Sequence, residues 1–356
     1  MVVVMAPDAT QEDMDGIVDL VRGAGGEAFI TRGVSRTIVG LVGDVEQFGT
    51  LNLRSMPGVS DVMRISVPYK LVSREHHPNR SVVQVGGVPI GPDTLTMIAG
   101  PCAVESPEQA LTAARMAKAA GASLLRGGAY KPRTSPYAYQ GLGEAGLKIL
   151  AEVSAETGLP AVTEVIDPRD VELVCNYADM LQVGTRNMQN FALLQAVGSA
   201  GKPVLLKRGF SATIEEWLMA AEYIAQRGNS DIVLCERGIR TFEKATRNTL
   251  DISAVPVAQR LSHLPVIVDP SHSGGRRDLV LPLTRAAIAV GADGIIVDVH
   301  PEPKLAMCDG DQALLDSDIR ELASVAAHLP PLMGRTLTPP RDVTPRDTSA
   351  APAPVG

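Results

Sequence analysis

The densest chemistry in the sequence lies at residues 126–135. Arg126, Lys131 and Arg133 stand there with Thr134 and Ser135, punctuated by Gly127, Gly128 and Pro132. A guanidinium offers a planar fork that suits phosphate or carboxylate, and an ammonium offers a movable point charge. At the mouth of a larger site such a loop is a cradle for anionic oxygens. On its own, a short cationic run is more often a solvated turn, so the remaining elements have to decide.

Eight apolar runs follow one another, at 95–99, 123–125, 161–165, 180–183, 204–206, 232–234, 266–268 and 294–297, with helical patterns between them. Near-continuous apolar strands alternating with helices predict a parallel sheet closed as a (β/α)₈ barrel, which carries its active site at the C-terminal ends of its strands. The absence of a G-x-G-x-x-G after the first run argues against a doubly wound sheet. Start signals support the helices: Ser106-Pro107-Glu108-Gln109 and Thr213-Ile214-Glu215-Glu216 read as capping boxes, and Asp167-Pro168 opens another helix.

Just past each run stand polar groups: Cys102; Arg126 and Lys131; Glu164; Arg186; Lys207; Glu236 and Arg237; Asp269 and His272; Asp298, with Asp309 in the following loop. One or two such ends could be solvated faces, but eight together predict a converging site. Arg126, Lys131, Arg133, Arg186, Lys207 and Arg237 can bind two phosphorylated substrates, or one bearing both phosphate and carboxylate. Cys102, His272, Asp298 and Asp309 offer a mixed S/N/O ligand set for a divalent metal. A lone Cys is usually a small core residue and a lone His usually a hydrogen-bonded one, so the metal reading rests on the shared face.

Ahead of the barrel, residues 1–66 read as βαββαβ, the ferredoxin-like arrangement. Strands are expected at 2–5, 27–32, 37–42 and 59–65, a Gly-Val-Ser turn at 33–35, a helix from Thr10 to Ala24 and another from Asp44 to about Ser55. Residues 67–94 are expected to be a linker containing a hairpin around Gly86-Gly87, with His76 and His77 solvated. The barrel spans 95–335, and the Pro-, Thr- and Ala-rich tail 336–356 is expected to be disordered. At 356 residues with 45% hydrophobic and 21% charged side chains the composition is that of a globular protein, and a net charge of −7 argues against bulk nucleic-acid binding. There is no membrane-length apolar run and no signal-peptide pattern, and four widely spaced cysteines suit a reducing cytoplasm.

The strings Ile98-Ala99-Gly100-Pro101-Cys102-Ala103-Val104-Glu105-Ser106, Arg126-Gly127-Gly128-Ala129-Tyr130-Lys131-Pro132-Arg133-Thr134-Ser135, Leu206-Lys207-Arg208-Gly209, Cys235-Glu236-Arg237-Gly238 and Asp269-Pro270-Ser271-His272-Ser273 resemble 3-deoxy-7-phosphoheptulonate (DAHP) synthase, in the subgroup with an N-terminal ferredoxin-like domain. The resemblance covers nearly the whole chain except the tail. It implies an aldol-like condensation of phosphoenolpyruvate with erythrose 4-phosphate and water, releasing phosphate, at the start of the shikimate pathway. By motif, Arg186, Lys207 and Arg237 hold the enol phosphate with Arg126 and Lys131 nearby. Lys131, Pro132, Arg133, Thr134 and Ser135 take the aldose phosphate. Cys102, His272, Asp298 and Asp309 bind Mn, Fe, Co or Zn, and Glu164 or Lys131 manages protons.

The resemblance further implies a homotetramer, and feedback inhibition by tyrosine or phenylalanine at the N-terminal domain. Two positions depart from the family pattern: Asp298 stands where glutamate is expected, and Thr185 where alanine is expected before the arginine. The competing readings are 3-deoxy-octulosonate 8-phosphate synthase, which uses arabinose 5-phosphate and is expected to carry Lys-Ala-Asn-Arg-Ser in the opening loop, and a non-catalytic sensor.

Overall fold

The computed structural model describes residues 1–32, 37–64 and 67–340. The chain divides into two compact units, Met1–Pro68 and Tyr69–Gly356.

In the first unit, strands β1 (Val2–Met5), β2 (Glu27–Arg32), β3 (Thr37–Val42) and β4 (Val59–Met63) form an antiparallel sheet of order β2-β3-β1-β4, with helices α1 (Gln11–Gly23) and α2 (Val45–Gly49) in the connections. That is the expected ferredoxin-like order. Thr10 accepts from Asp13 N while the Asp13 carboxylate takes the Thr10 N–H, so both orphan donors at the helix start are satisfied. Met14, Ile17, Val18 and Val21 bury against Val3, Met5, Val39, Leu41 and Phe48. The second helix is shorter than expected. It stops at Gly49, and Asn52, at φ 48°, turns the chain into a 3₁₀ turn at Leu53–Ser55, because a left-handed residue cannot continue an α-helix. The expected turn at 33–35 and the end of the last strand at residue 65 lie outside the described residues.

In the second unit a hairpin of β5 (Val83–Val85) and β6 (Val88–Ile90) precedes the barrel. The barrel strands are β7 (Thr94–Gly100), β8 (Leu124–Arg126), β9 (Ala161–Glu164), β10 (Met180–Val183), β11 (Val204–Lys207), β12 (Ile232–Glu236), β13 (Val266–Val268) and β14 (Gly294–Asp298). Every neighbouring pair is parallel, and β14 pairs with β7 to close the ring. Between the strands run α3 (Pro107–Ala119), α4 (Glu144–Thr157), α5 (Val171–Cys175), α6 (Phe191–Gly198), α7 (Ile214–Ala225), α8 (Ala254–Leu261), α9 (Pro270–Gly274) and α10 (Arg277–Ala289), with α11 (Asp316–Leu332) after β14. Alternate strand residues face opposite sides: Leu124 points into the barrel, and Leu125 packs with Ala110, Ala114, Leu150 and Val153 of the helices.

The expected hairpin of the 67–94 segment is present, and residues from Tyr69 on lie in the same compact unit as the barrel. Val83, Val85, Val88 and Ile90 are buried with Ile98, Leu124, Val162 and Ile267 in the barrel's interior cluster, where each side chain stabilises by about 1.5–3 kcal/mol. The buried Glu222 carboxylate of α7 accepts the N–H groups of Lys70, Leu71 and Val72 at 2.9–3.0 Å. His77 packs on His263, ring centroids 4.2 Å apart.

The expected barrel end and tail are corrected. Residues 336–340 are ordered, with β15 (Thr336–Leu337) running parallel to the start of β7. Arg335 anchors it, donating to Asp293 at 2.8 Å and to the Ala292 carbonyl at 2.9 Å. Proline content suggested disorder, but Thr336 and Leu337, ahead of Thr338 and the prolines, pair with Thr94 and Leu95 at the start of β7. Residues 341–356 lie outside the described residues.

Candidate active site

The C-terminal ends of the barrel strands surround a cavity of about 320 Å³. Twelve of the residues expected at the site line it: Arg126 at the end of β8; Lys131, Pro132, Arg133, Thr134 and Ser135 in the loop before α4; Glu164 closing β9; Arg186 after β10; Lys207 closing β11; Arg237 after β12; and His272 and Asp309. The other two, Cys102 and Asp298, are buried just behind this wall.

Asp269 organises the deepest part. It caps α9 by accepting His272 N, its Oδ2 lies 2.9 Å from His272 Nδ1, and the same oxygen takes Lys207 Nζ at 2.5 Å. Burial opposes its charge, but His272 and Lys207 outweigh this and hold the carboxyl well below its usual range. With Nδ1 engaged, His272 Nε2 faces the other ligand candidates. Burial keeps the imidazole below its ordinary value against the pull of Asp269 and Asp298, which favours the neutral form that binds metals.

His272 Nε2 lies 3.7 Å from Cys102 Sγ, 3.7 Å from Asp298 Oδ2 and 4.0 Å from Asp309 Oδ2, and Cys102 Sγ lies 3.3 Å from Asp309 Oδ2. Ligand atoms held tetrahedrally at bonds of about 2.0–2.3 Å stand about 3.3–3.8 Å apart, so the spacing of His272 to Cys102 and Asp298 and of Cys102 to Asp309 fits a divalent ion, with His272 to Asp309 slightly longer. Asp298 presents Oδ2 to this cluster, while its Oδ1 sits against the Arg126 guanidinium. Cys308 adds a second thiol, grouping with Cys102 and Asp309. Its hydrogen bond to Cys102, together with burial and the Asp298 charge, pushes the Cys102 thiol well above its ordinary value against the opposing Lys131.

The cations fall into two states. Arg126 and Lys131 are buried and engaged: Arg126 pairs with Asp298 at 2.5 Å, and Lys131 Nζ donates to the Cys102 carbonyl at 2.9 Å and to its sulfur at 3.0 Å. For Lys131, burial disfavours the charge but the two cysteine sulfurs more than compensate, so it stays protonated above its usual value. Arg186 and Arg237 have no carboxylate partner within salt-bridge distance among the described residues. Arg237 is 3% exposed, and its Nε and Nη1 have no hydrogen-bond partner. Burial lowers the pKa of both, as expected for charges awaiting an anion. Arg186 reaches across to Thr134 Oγ1 at 3.3 Å, and Arg133 lies 4.0 Å from Asp309, so the opening loop closes one side of the cavity.

Several groups at the site were not singled out from sequence. Arg247, which lines the cavity, donates to both Asp309 Oδ1 and Gln312 Oε1 at 2.9 Å, and Gln312 in turn donates to Asp298 Oδ2 at 2.6 Å. Gln182 holds Glu164 Oε2 at 3.2 Å. The available signal for Arg247 was the length of the excursion between β12 and α8 at the active end of the barrel. Gln182 lies inside an apolar run and gave none.

The fold and site are those of a (β/α)₈ barrel with a cationic cavity and a Cys/His/Asp cluster at the C-terminal ends of its strands. Residues 72–332 match the DAHP synthetase I family and residues 1–67 match the DAHP synthase ferredoxin-like domain, and the chain belongs to that family. It is 53% identical over 334 residues to the phospho-2-dehydro-3-deoxyheptonate aldolase of Thermotoga maritima, covering 94% of this chain and 99% of that protein. The crystal structure of the Thermotoga maritima enzyme superposes with a TM-score of 0.87 over 94% of this chain and 98% of that one. A 2-dehydro-3-deoxyphosphooctonate aldolase from Syntrophotalea carbinolica is 36% identical and aligns to 63% of this chain and 86% of its own length.

Proposed function

We propose that this cavity condenses phosphoenolpyruvate with erythrose 4-phosphate and water to 3-deoxy-arabino-heptulosonate 7-phosphate and phosphate, with the roles that follow. The observation that carries the reading is the junction, in one cavity, of unpaired guanidiniums with a Cys/His/Asp cluster at metal-ligand spacing.

Arg186, Arg237 and Lys207 hold the enol phosphate and its carboxylate, with Arg126 and Lys131 beneath. Lys131, Pro132, Arg133, Thr134 and Ser135 receive the aldose phosphate at the loop side. Cys102, His272, Asp298 and Asp309 hold the divalent ion (Mn, Fe, Co or Zn), which when bound supplies Lewis-acid polarisation of the aldehyde oxygen. Fixed cations align carbon 3 of the enol ester with the aldehyde carbon and stabilise charge as it develops. Lys131, kept protonated, acts as donor to the forming alkoxide. Glu164 takes the proton of the water that adds to carbon 2. Loss of phosphate from that carbon then leaves the keto acid.

The test is phosphate release from phosphoenolpyruvate with erythrose 4-phosphate or arabinose 5-phosphate, in Mn²⁺ or in EDTA. Turnover with the four-carbon sugar and Mn²⁺, lost in EDTA, is expected. Turnover with the five-carbon sugar alone would make the protein an octulosonate synthase, and none with either would make it a sensor. The ferredoxin-like unit supports a regulatory role, in which tyrosine or phenylalanine inhibits a cytoplasmic homotetramer. An unchanged response to both amino acids after deletion of residues 1–66 would end that idea.

A further inference from the structure

Phe210 follows the Lys207-Arg208-Gly209 turn at the end of β11. Its ring is half-buried, and its carbonyl accepts Arg240 N at 2.7 Å, tying the β11 loop to the β12 loop. Three guanidiniums gather on this one ring. The Cζ atoms of Arg186, Arg237 and Arg240 lie 5.4, 4.9 and 4.4 Å from its centroid. Two of the three line the cavity and have no carboxylate partner, and Arg237 also keeps Nε and Nη1 without a hydrogen bond.

Like charges held this close repel, and Arg186 also feels Arg133 and Arg247. A carboxylate could hold them but would offset part of the charge that an incoming anion needs. An aromatic ring attracts a cation through its quadrupole and leaves the full positive charge available. We propose that Phe210 is a positioning residue of the enol-phosphate site, a ring that holds Arg186 and Arg237 in place before the anion arrives. Arg240 packs on the same ring from the exposed side and completes the cluster. The inference rests on the reading of these arginines as the phosphoenolpyruvate site.

The experiment uses the full, Mn²⁺-loaded chain and compares wild type with Phe210→Leu and Phe210→Tyr. Phosphoenolpyruvate binding is measured by calorimetry, and kcat and both KM values by phosphate release. For Phe210→Leu, the Kd and KM of phosphoenolpyruvate should rise about 3- to 30-fold, the value of one or two cation–π contacts. The KM of the aldose phosphate should stay within about twofold and kcat should change less than the phosphoenolpyruvate KM. Phe210→Tyr keeps the ring and should restore binding. Phe210→Met stands in if the leucine variant does not unfold cooperatively. Equal affinity in wild type and Phe210→Leu overturns the proposal, as does a tyrosine variant as weak as leucine or a parallel change in kcat and both KM values. Failure of the wild type itself to bind phosphoenolpyruvate would instead sink the functional reading on which this one rests.

Discussion

Arg126 and Asp298 form a buried ion pair, Nη1 to Oδ1 at 2.5 Å, in which neither of those two atoms is aligned for a hydrogen bond. The two charges offset each other where both side chains are buried, with Asp298 Oδ1 turned to Arg126. The other oxygen accepts from Gln312, and the Ser271 hydroxyl accepts the Asp298 N–H. So Asp298, one methylene shorter than the glutamate expected there, has its carboxylate fixed by Arg126 and Gln312 and its backbone by Ser271. Asp298→Asn should leave Arg126 as an uncompensated buried charge and destabilise the protein by about 3–5 kcal/mol. It should also weaken Mn²⁺ binding. Thermal unfolding with and without Mn²⁺ and a metal titration check both effects, and an unchanged Mn²⁺ affinity would remove Asp298 from the ligand set.

Cys102→Ala and His272→Ala each remove a donor around which the other ligand atoms converge, and both should abolish tight Mn²⁺ binding and turnover. Asp269→Asn is a gentler probe, because it leaves all four ligands but loosens the tautomer and orientation of His272. It should cost about 10–100-fold in metal affinity. It also frees Lys207, so the phosphoenolpyruvate KM should change together with the metal affinity. Calorimetric titration of Mn²⁺ into each variant decides these points, and wild-type affinity in Asp269→Asn would show that the carboxylate does not orient the imidazole.

Much of this site was legible because strand ends carry chemistry. Cys102, Glu164, Lys207 and Asp298 each end or immediately follow an apolar run, and barrel topology forces such ends onto one face. Arg247 and Gln312 were not legible, since they sit in irregular segments whose path depends on tertiary contacts. The same limit applied to the hairpin. Val83, Val85, Val88 and Ile90 alternate as any short hairpin would, and nothing local says that their apolar face fills the barrel interior. Arg335 anchors β15 through Asp293, a buried acid that Arg80 also meets, and that pairing links residues 213 and 42 positions apart in the chain. Arg335→Ala should therefore lower the thermal midpoint without altering either substrate's KM.

His263 supplies a pH dependence separate from catalysis. Its ring lies 2.8 Å from the Ser81 hydroxyl through Nδ1 and 3.0 Å from the Leu71 carbonyl through Nε2. The neutral tautomer satisfies both, with Nε2 donating and Nδ1 accepting. Burial lowers its pKa below 6.5, with the Leu71 carbonyl pulling the other way. The unfolded chain therefore binds the proton more readily, so the stability from this contact is complete above about pH 6.5 and is lost as pH falls below it towards the folded value. The thermal midpoint of the wild type should drop on acidification from pH 7.5 to 5.5, at about constant ionic strength, more steeply than that of His263→Asn. Parallel slopes would exclude His263 as the source.

Gly184 offers the sharpest separation of stability from chemistry. A Cβ placed on it would stand 1.9 Å from Glu164 Oε1 and 2.7 Å from Glu164 Cδ. The backbone there, at φ −72°, is one that any residue adopts, so alanine brings no strain of its own. The obstacle is the end of a flexible side chain beside an open cavity, and Glu164 can swing away at a cost of about 1 kcal/mol, the scale of an off-rotamer side chain. Its hydrogen bond from Gln182 would then break, and the carboxylate would leave the position from which we propose that it takes the proton of the attacking water. A positioned acid or base contributes about 10²–10⁴-fold, so Gly184→Ala should lose kcat on that scale while its thermal midpoint stays close to wild type. Thr185 lines the same cavity, and Thr185→Ala installs the alanine that was expected there. That change should leave kcat within about twofold. Wild-type turnover in Gly184→Ala would mean that Glu164 has no part in moving protons and that Lys131 carries the role alone.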